Sequence, residues 1–304
     1  MNRSGELLSV VVAVSWTVSA LLSESASKRM GEAVANVYRM LVALVMLYVV
    51  LAFSGGTDLL FHANSEAWLW LIGSGLVGYT FGDYCLYNAY IKIGSRFGQL
   101  FMTLAPLFAA LSAWFLLGEL LSLKALIGML VTLLGIAMTI LNRRKDESGH
   151  SHLSLNLPRS GVLLAIGAAL GQGVGLVMSK IGLNAMPVEG GMAPVAGTLM
   201  RCVAGLVGFV IMLFLRRKQS GMRNALTGAN MGLLIALAVF GPVVGVTLSL
   251  RAAQLTDVGV AQTIMSLSPV LILIPYHFVQ KQPVSLRDVL WTVVSFIGVA
   301  LFFV

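Results

Sequence analysis

The carboxyl half of this chain repeats the amino half. Residues 78–141 lie without a gap over residues 241–304 at a shift of 163. The identities include Gly78/Gly241, Gly82/Gly245, Gln99/Gln262, Met102/Met265, Leu104/Leu267, Pro106/Pro269, Ser122/Ser285 and Gly135/Gly298. A shift of 162 sets Arg39 over Arg201, and a shift of 156 sets Ser15, Ser19 and Ser23 over Gly171, Gly175 and Ser179. The duplication therefore spans nearly the whole chain. If each copy holds an odd number of membrane helices, the second copy sits upside down relative to the first. Inverted repeats of that kind are a mark of secondary transporters.

The membrane assignment comes from composition. Hydrophobic residues make up 58% and charged residues 11% of the chain, against about 25% charged in soluble domains. A bilayer core needs about 20 apolar residues per helix. Ten such runs fall at about 5–22, 33–53, 67–89, 97–117, 122–141, 159–178, 193–215, 229–252, 258–279 and 285–304. They are longer than the roughly ten-residue alternating segments of membrane strands. The expected fold is all-α: ten transmembrane helices in two inverted five-helix repeats, 1–141 and 159–304, joined by a polar linker at 142–158. Arg3 and the apolar run behind it resemble a cleavable signal peptide, but removing them would leave the first copy one helix short.

The formal charge of +8 is no nucleic-acid footprint, because the basic residues lie in short loops rather than on one soluble face. Lys28, Arg29, Lys92, Arg96, Arg143, Arg144, Lys145, Arg159, Arg216, Arg217, Lys218, Arg223, Lys281 and Arg287 fall on one side of the predicted spans. Arg3, Lys124 and Lys180 fall on the other. The positive-inside rule makes the crowded side cytoplasmic and puts both termini outside. His150 and His152 in the linker lack further metal ligands. Cys85 and Cys202 both fall within spans, where thiols serve packing more often than disulfides.

Intramembrane chemistry is read from what is expensive to place there. Of the twelve Asp and Glu residues, Asp83 alone lies deep in a span, and such a group is a functional candidate. Helical spacing sets Tyr79, Asp83, Tyr87 and Tyr90 along one stripe. That stripe suits a polar cavity in which a desolvated carboxyl could take up and release a proton near neutral pH. The structural alternative is an ion pair with a buried arginine. Arg39 and Arg201 sit less than halfway into their spans and are expected to snorkel. Arg251 has no basic counterpart, since Asn88 occupies the matching position, so it is the better substrate-contact candidate among the arginines. Gln99 and Gln262 each precede a hydroxyl residue by one turn, Thr103 and Ser266, forming two small polar faces. Pro106 and Pro269 can kink both spans at matching depth. Gly78-x-x-x-Gly82, Gly241-x-x-x-Gly245 and Gly167-x-x-x-Gly171-x-x-x-Gly175 allow close helix approach. Trp16 and Gln172 occupy equivalent positions beside those seams. The expected substrate-binding set is Asp83, Tyr79, Tyr87, Gln99, Gln262, Trp16, Gln172 and Arg251.

The stretch from Tyr87-Asn88-Ala89 to Pro106, followed by Gly118-Glu119-x-x-Ser122 and the pair Gly128 and Gly135, resembles the EamA domain of the drug/metabolite transporter superfamily. The second copy resembles it again from Ala252 through Pro269 to Ser285 and Gly298. The resemblance implies a ten-helix bundle around a central cavity that moves small metabolites, often outward. The second copy departs at Lys281-Gln282, where the family commonly has Gly-Glu. The family is often described with both termini cytoplasmic, opposite to the charge count.

No zinc-protease, intramembrane serine-protease or phosphate-loop motif is present, and no cofactor or enzymatic activity is expected. The chain is expected to be a multi-pass cell-membrane transporter of a small amino acid-like or drug-like molecule, an exporter using alternating access with proton or exchange coupling. The alternative class is a non-transporting scaffold, receptor or intramembrane enzyme.

Overall fold

The computed structural model describes residues 3–141, 157–186, 192–215, 222–271 and 286–301. The linker with His150 and His152, and the Lys281-Gln282 departure, fall outside the described residues. Among the described residues the fold is all-helical, with no strand. In chain order the helices are α1 (Ser4–Met30), α2 (Glu32–Phe53), α3 (Asp58–Phe61), α4 (Ser65–Gly75), α5 (Tyr84–Met102), α6 (Ala105–Leu117), α7 (Leu123–Leu141) and α8 (Arg159–Asn184). They continue as α9 (Pro194–Leu215), α10 (Met222–Ala225), α11 (Gly228–Ala238), α12 (Thr247–Leu255), α13 (Val258–Met265), α14 (Ser268–Leu271) and α15 (Leu286–Ala300).

Among the described residues six helices are long and apolar enough to cross a membrane: Ser4–Met30, Glu32–Phe53, Phe97–Leu117, Arg159–Asn184, Pro194–Leu215 and Gly228–Leu255. Shorter apolar helices add Leu123–Met138, Val258–Leu271 and Leu290–Ala300. The surface is apolar, and the largely apolar interior holds many polar side chains. Phe53 is 89% exposed and Phe115 83%, while Ser15, Thr17, Gln99, Gln262, Arg39 and Arg201 are buried. That distribution fits a lipid solvent, in which close packing and interhelical hydrogen bonds replace the hydrophobic drive.

The duplication extends to the irregularities of the backbone. Leu76–Asp83 is a π-helical segment between α4 and α5, and Val239–Val246 is another between α11 and α12. The two are separated by the same 163 residues as the sequence match. Short π segments widen a helix and often mark functional sites. Pro242 lies inside the second, where its missing N–H already prevents a regular ladder. Two further breaks also recur. α5 is kinked at Gly94 (φ 76°, ψ 160°), a left-handed value that favours glycine, and this ends the third predicted span. The matching position is Asp257, where Thr256 and Asp257 are extended between α12 and α13. Turns at Thr103–Leu104 and at Ser266–Leu267 then interrupt the fourth and ninth predicted spans. Pro106 and Pro269 therefore open new helical segments, Ala105–Leu117 and Ser268–Leu271, rather than bending a continuous one.

The glycine seams bring helices from different copies together. A Cβ on Gly171 would lie 2.8 Å from the Gly82 Cα, and one on Gly175 3.1 Å from the Gly78 Cα. The equivalent seam in the other direction joins α1 to Val239–Val246. Ser15 Oγ donates to the Phe240 carbonyl at 2.7 Å, and Ser19 Oγ lies 3.3 Å from where a Gly241 Cβ would be. The last helices are exchanged in the same way: Gly135 packs on Ser295 and Gly298 on Thr132, positions again related by the repeat.

End contacts show how the copies are oriented. At one end the Ser95 amide donates to Glu24 near the end of α1 (3.1 Å), and Lys92 donates to Ser160 at the start of α8 (3.0 Å). At the other end Thr256 Oγ1 donates to Glu6 at the start of α1 (3.4 Å), and Lys180 near the end of α8 donates to the Thr256 carbonyl (3.1 Å). The repeat-related helices α1 and α8 therefore run in opposite senses.

Candidate functional site

A cavity lies where the broken helices of both copies meet. Its first-copy wall includes Trp16, Ser19, Ser23, Arg39, Tyr79, Asp83, Tyr87, Tyr90, Gln99 and Met102. The second copy contributes Gln172, Gly241, Val246, Gln262, Met265, Ser266, Ser268 and Pro269. About 80 Å³ is open to the centres of water molecules, room for a handful of waters at roughly 10–15 Å³ each.

Seven of the eight residues expected from the sequence line this cavity: Asp83, Tyr79, Tyr87, Gln99, Gln262, Trp16 and Gln172. Helical periodicity brings the tyrosine–aspartate stripe to one face, and the π segment Leu76–Asp83 carries Tyr79 and Asp83 themselves. Arg251 is the exception. It is exposed and its Nη1 donates to Gln254 Oε1 at 3.2 Å. It lies late in its span and escapes to the surface, so the asymmetry that singled it out has no consequence in the cavity.

The arginines expected to snorkel do the reverse. Arg39 is 4% and Arg201 3% exposed. Arg39 Nη2 donates to Asp83 Oδ2 at 2.5 Å, so Asp83 is at once a cavity residue and half of a buried ion pair. The Arg39 guanidinium also sits over two rings, 5.2 Å from the Tyr87 centroid and 5.8 Å from that of Tyr79. Arg201 approaches Tyr79 from elsewhere, at 5.0 Å. Two cations thus share one aromatic ring, an attraction that strengthens in a desolvated site. Among the described residues no carboxylate lies within ion-pair distance of Arg201. The clue available in the sequence was the repeat itself. Two arginines at matching depth in both copies satisfied the rule that intramembrane charge faces the bundle interior.

The two repeat-related glutamines differ in what they hold. Gln99 Nε2 donates to Tyr90 Oη at 2.5 Å, and Tyr90 stacks on Tyr87 with centroids 6.2 Å apart. The Gln262 side chain is 2% exposed, yet its Oε1 has no hydrogen-bond partner. Arg39 Nε is also buried without a partner. A buried polar atom left unpaired calls for an explanation, and here both residues belong to a cavity wall. The Cys202 thiol lies 3.9 Å from Tyr79 Oη. Cys85 and Cys202 are both free. Among the described residues no cluster of three metal-ligating side chains occurs.

The model of the EamA-like transporter family matches residues 3–141 and again residues 159–304. Among curated proteins nothing matches. Among solved structures, 28 chains match. One, described as "Crystal structure of protein", superposes with a TM-score of 0.72 over 99% of this chain and 96% of that chain, at 18% identity.

Proposed function

Because the chain belongs to the EamA-like transporter family, and is accordingly a multi-pass membrane protein of transporter type, we propose that it moves a small metabolite through the cavity between its two copies. The observation that carries the reading is the position of the cavity. Both copies line it at their π segments and helix breaks, and discontinuous helices at a repeat interface are where secondary transporters hold substrates. In this reading there are ten transmembrane helices in two inverted repeats, 1–141 and 159–304, supported by the opposite senses of α1 and α8. Rocking of one copy against the other opens the cavity to alternate sides. The direction is export, driven by proton coupling or exchange, with Asp83 as the proton-linked group. Basic residues at the Lys28, Arg29 and Lys92 end make that end cytoplasmic.

The test is flux in proteoliposomes with an imposed pH gradient, using labelled amino acids, organic acids, nucleosides and cationic drugs. At least one class accumulates against its gradient, and Asp83→Asn abolishes accumulation while leaving exchange. Accumulation by Asp83→Asn equal to the parent overturns the coupling role. Failure of every class to move, with no ligand raising the melting temperature, favours a scaffold or receptor.

A further inference from the structure

The charges in the cavity say which class of ligand it takes. Among the described residues Arg39 and Asp83 are the only charged ones lining it, and they neutralise each other. Arg201 adds a second guanidinium behind Tyr79 without a carboxylate of its own among the described residues. With both arginines and Asp83 ionised the site carries a surplus of one positive charge. We propose, resting on the transporter reading above, that the ligand is an aromatic monocarboxylate, and that its carboxylate takes the place of Asp83 on Arg39 while Asp83 leaves the pair as a neutral acid.

The exchange balances. Asp83 carboxylate paired with Arg39, plus a ligand carboxylate, plus one proton, gives neutral Asp83 and the ligand carboxylate on Arg39. The charge of the site is the same before and after. The opposite choice, a cation taken by Asp83, would leave Arg39 and Arg201 both buried without a counter-ion, and an unpaired buried charge is the least tolerated outcome in such a site.

Three features support the exchange. Arg39 has a second hold, over the Tyr87 and Tyr79 rings, so its guanidinium stays in place when Asp83 lets go. Its Nε is buried and unpartnered, leaving a donor beside Nη2 for a fork-like grip on a carboxylate. Trp16, Tyr79, Tyr87 and Tyr90 supply rings for a planar body, and the free Gln262 oxygen accepts from a second polar group on it. The titratable or charged groups acting on Asp83 are Arg39, Arg201, Tyr79, Tyr87, Tyr90 and Cys202. Among the described residues Asp83 is the only carboxyl lining the cavity, so the proton goes to Asp83.

The probes are 3-phenylpropionate, its amide and its amine, titrated calorimetrically into the purified protein in two buffers of different ionisation enthalpy. Only the carboxylate binds. It takes up one proton per molecule, and its Kd rises about tenfold per pH unit between 6 and 8, as linkage requires. Arg39→Gln abolishes binding, whereas Asp83→Asn keeps binding and loses its pH dependence. The proton count in the unaltered protein stands even where a variant fails to fold. Preference for the amine or amide, or carboxylate binding without proton uptake, overturns the proposal. Failure of all three to bind overturns it too, and leaves the transporter reading to the broader flux panel.

Discussion

The two halves of this protein share a backbone plan but not a chemistry. Both have a π segment, a break after the third or eighth predicted span and a broken fourth or ninth predicted span, each at a 163-residue spacing. The first half places Tyr79, Asp83, Tyr87 and Tyr90 on its π segment and α5. At the matching positions the second half has Pro242, Val246, Leu250 and Ala253. One copy therefore holds the charged and tyrosine-bearing stripe, and the other supplies an uncharged wall that includes the unpartnered Gln262 oxygen. The lesson is that the repeat conserves where the backbone departs from helical regularity, while the side chains diverge to make one asymmetric site.

The helix caps show the same divergence. In the first half Glu24 accepts from the Ser95 amide at the Gly94 break. The position matching Glu24 is Lys180, which cannot accept. Glu119 of the other copy accepts from the matching Val258 amide at 3.1 Å instead, and Lys180 donates to it at 2.5 Å. Glu119 is thus an asymmetric replacement. Its sequence counterpart, Gln282, lies outside the described residues. Burial, followed by the charge of Glu119, holds the neighbouring Asp257 carboxyl above its usual range.

The largest expected difference between the halves is in their arginines. Arg39→Leu strands the Asp83 carboxylate and should destabilise the protein by about 3–5 kcal/mol, the scale for breaking a buried pair. Arg201→Leu strands no carboxylate and should cost about 2 kcal/mol, the scale of a desolvated cation–π contact. Denaturant unfolding of both variants in micelles measures the gap, and equal losses would erase the asymmetry.

A smaller difference is expected at the seams. Gly171 in the α8 seam is more tightly packed than Gly241 in the α1 seam. Gly171→Ala would drive a methyl to 2.8 Å from both the Gly82 Cα and the Val77 carbonyl, and overpacking of that kind costs about 1–3 kcal/mol. Gly241→Ala meets only Ser19 Oγ at 3.3 Å and Arg39 at 3.6 Å. The gain of about 1 kcal/mol from replacing a helical glycine offsets that contact. Melting temperatures of the two variants should separate, and comparable drops would show the seams to be equivalent.

The smallest effect, and the sharpest in meaning, is at the glutamines. Gln99→Leu leaves Tyr90 Oη without its donor and should lower stability by about 1 kcal/mol. Gln262→Leu removes an amide whose buried oxygen is unpartnered and should leave stability unchanged while weakening ligand binding by about 1 kcal/mol. A double-mutant cycle on affinity tests whether they meet one ligand, since residues sharing a partner are non-additive. Unchanged affinity in both variants would reduce the pair to helix packing.

Much of this was legible in the sequence. Apolar length predicted membrane helices, because a bilayer demands about 20 residues regardless of the partners a helix finds. The gapless repeat indicated which positions would correspond, and the lone deep carboxyl pointed to the stripe that faces the cavity. What the tertiary structure decided was direction and pairing. Whether Arg39, Arg201 or Arg251 turns inward depends on where neighbouring helices stand, and a long side chain can reach either way. The same holds for Gln99 and Gln262, repeat-related and each followed by a methionine and then a hydroxyl residue, of which Gln99 found Tyr90 while the Gln262 Oε1 found no partner. Sequence periodicity assigns a residue to a face of its own helix, but only the packing of the other helices determines what that face meets.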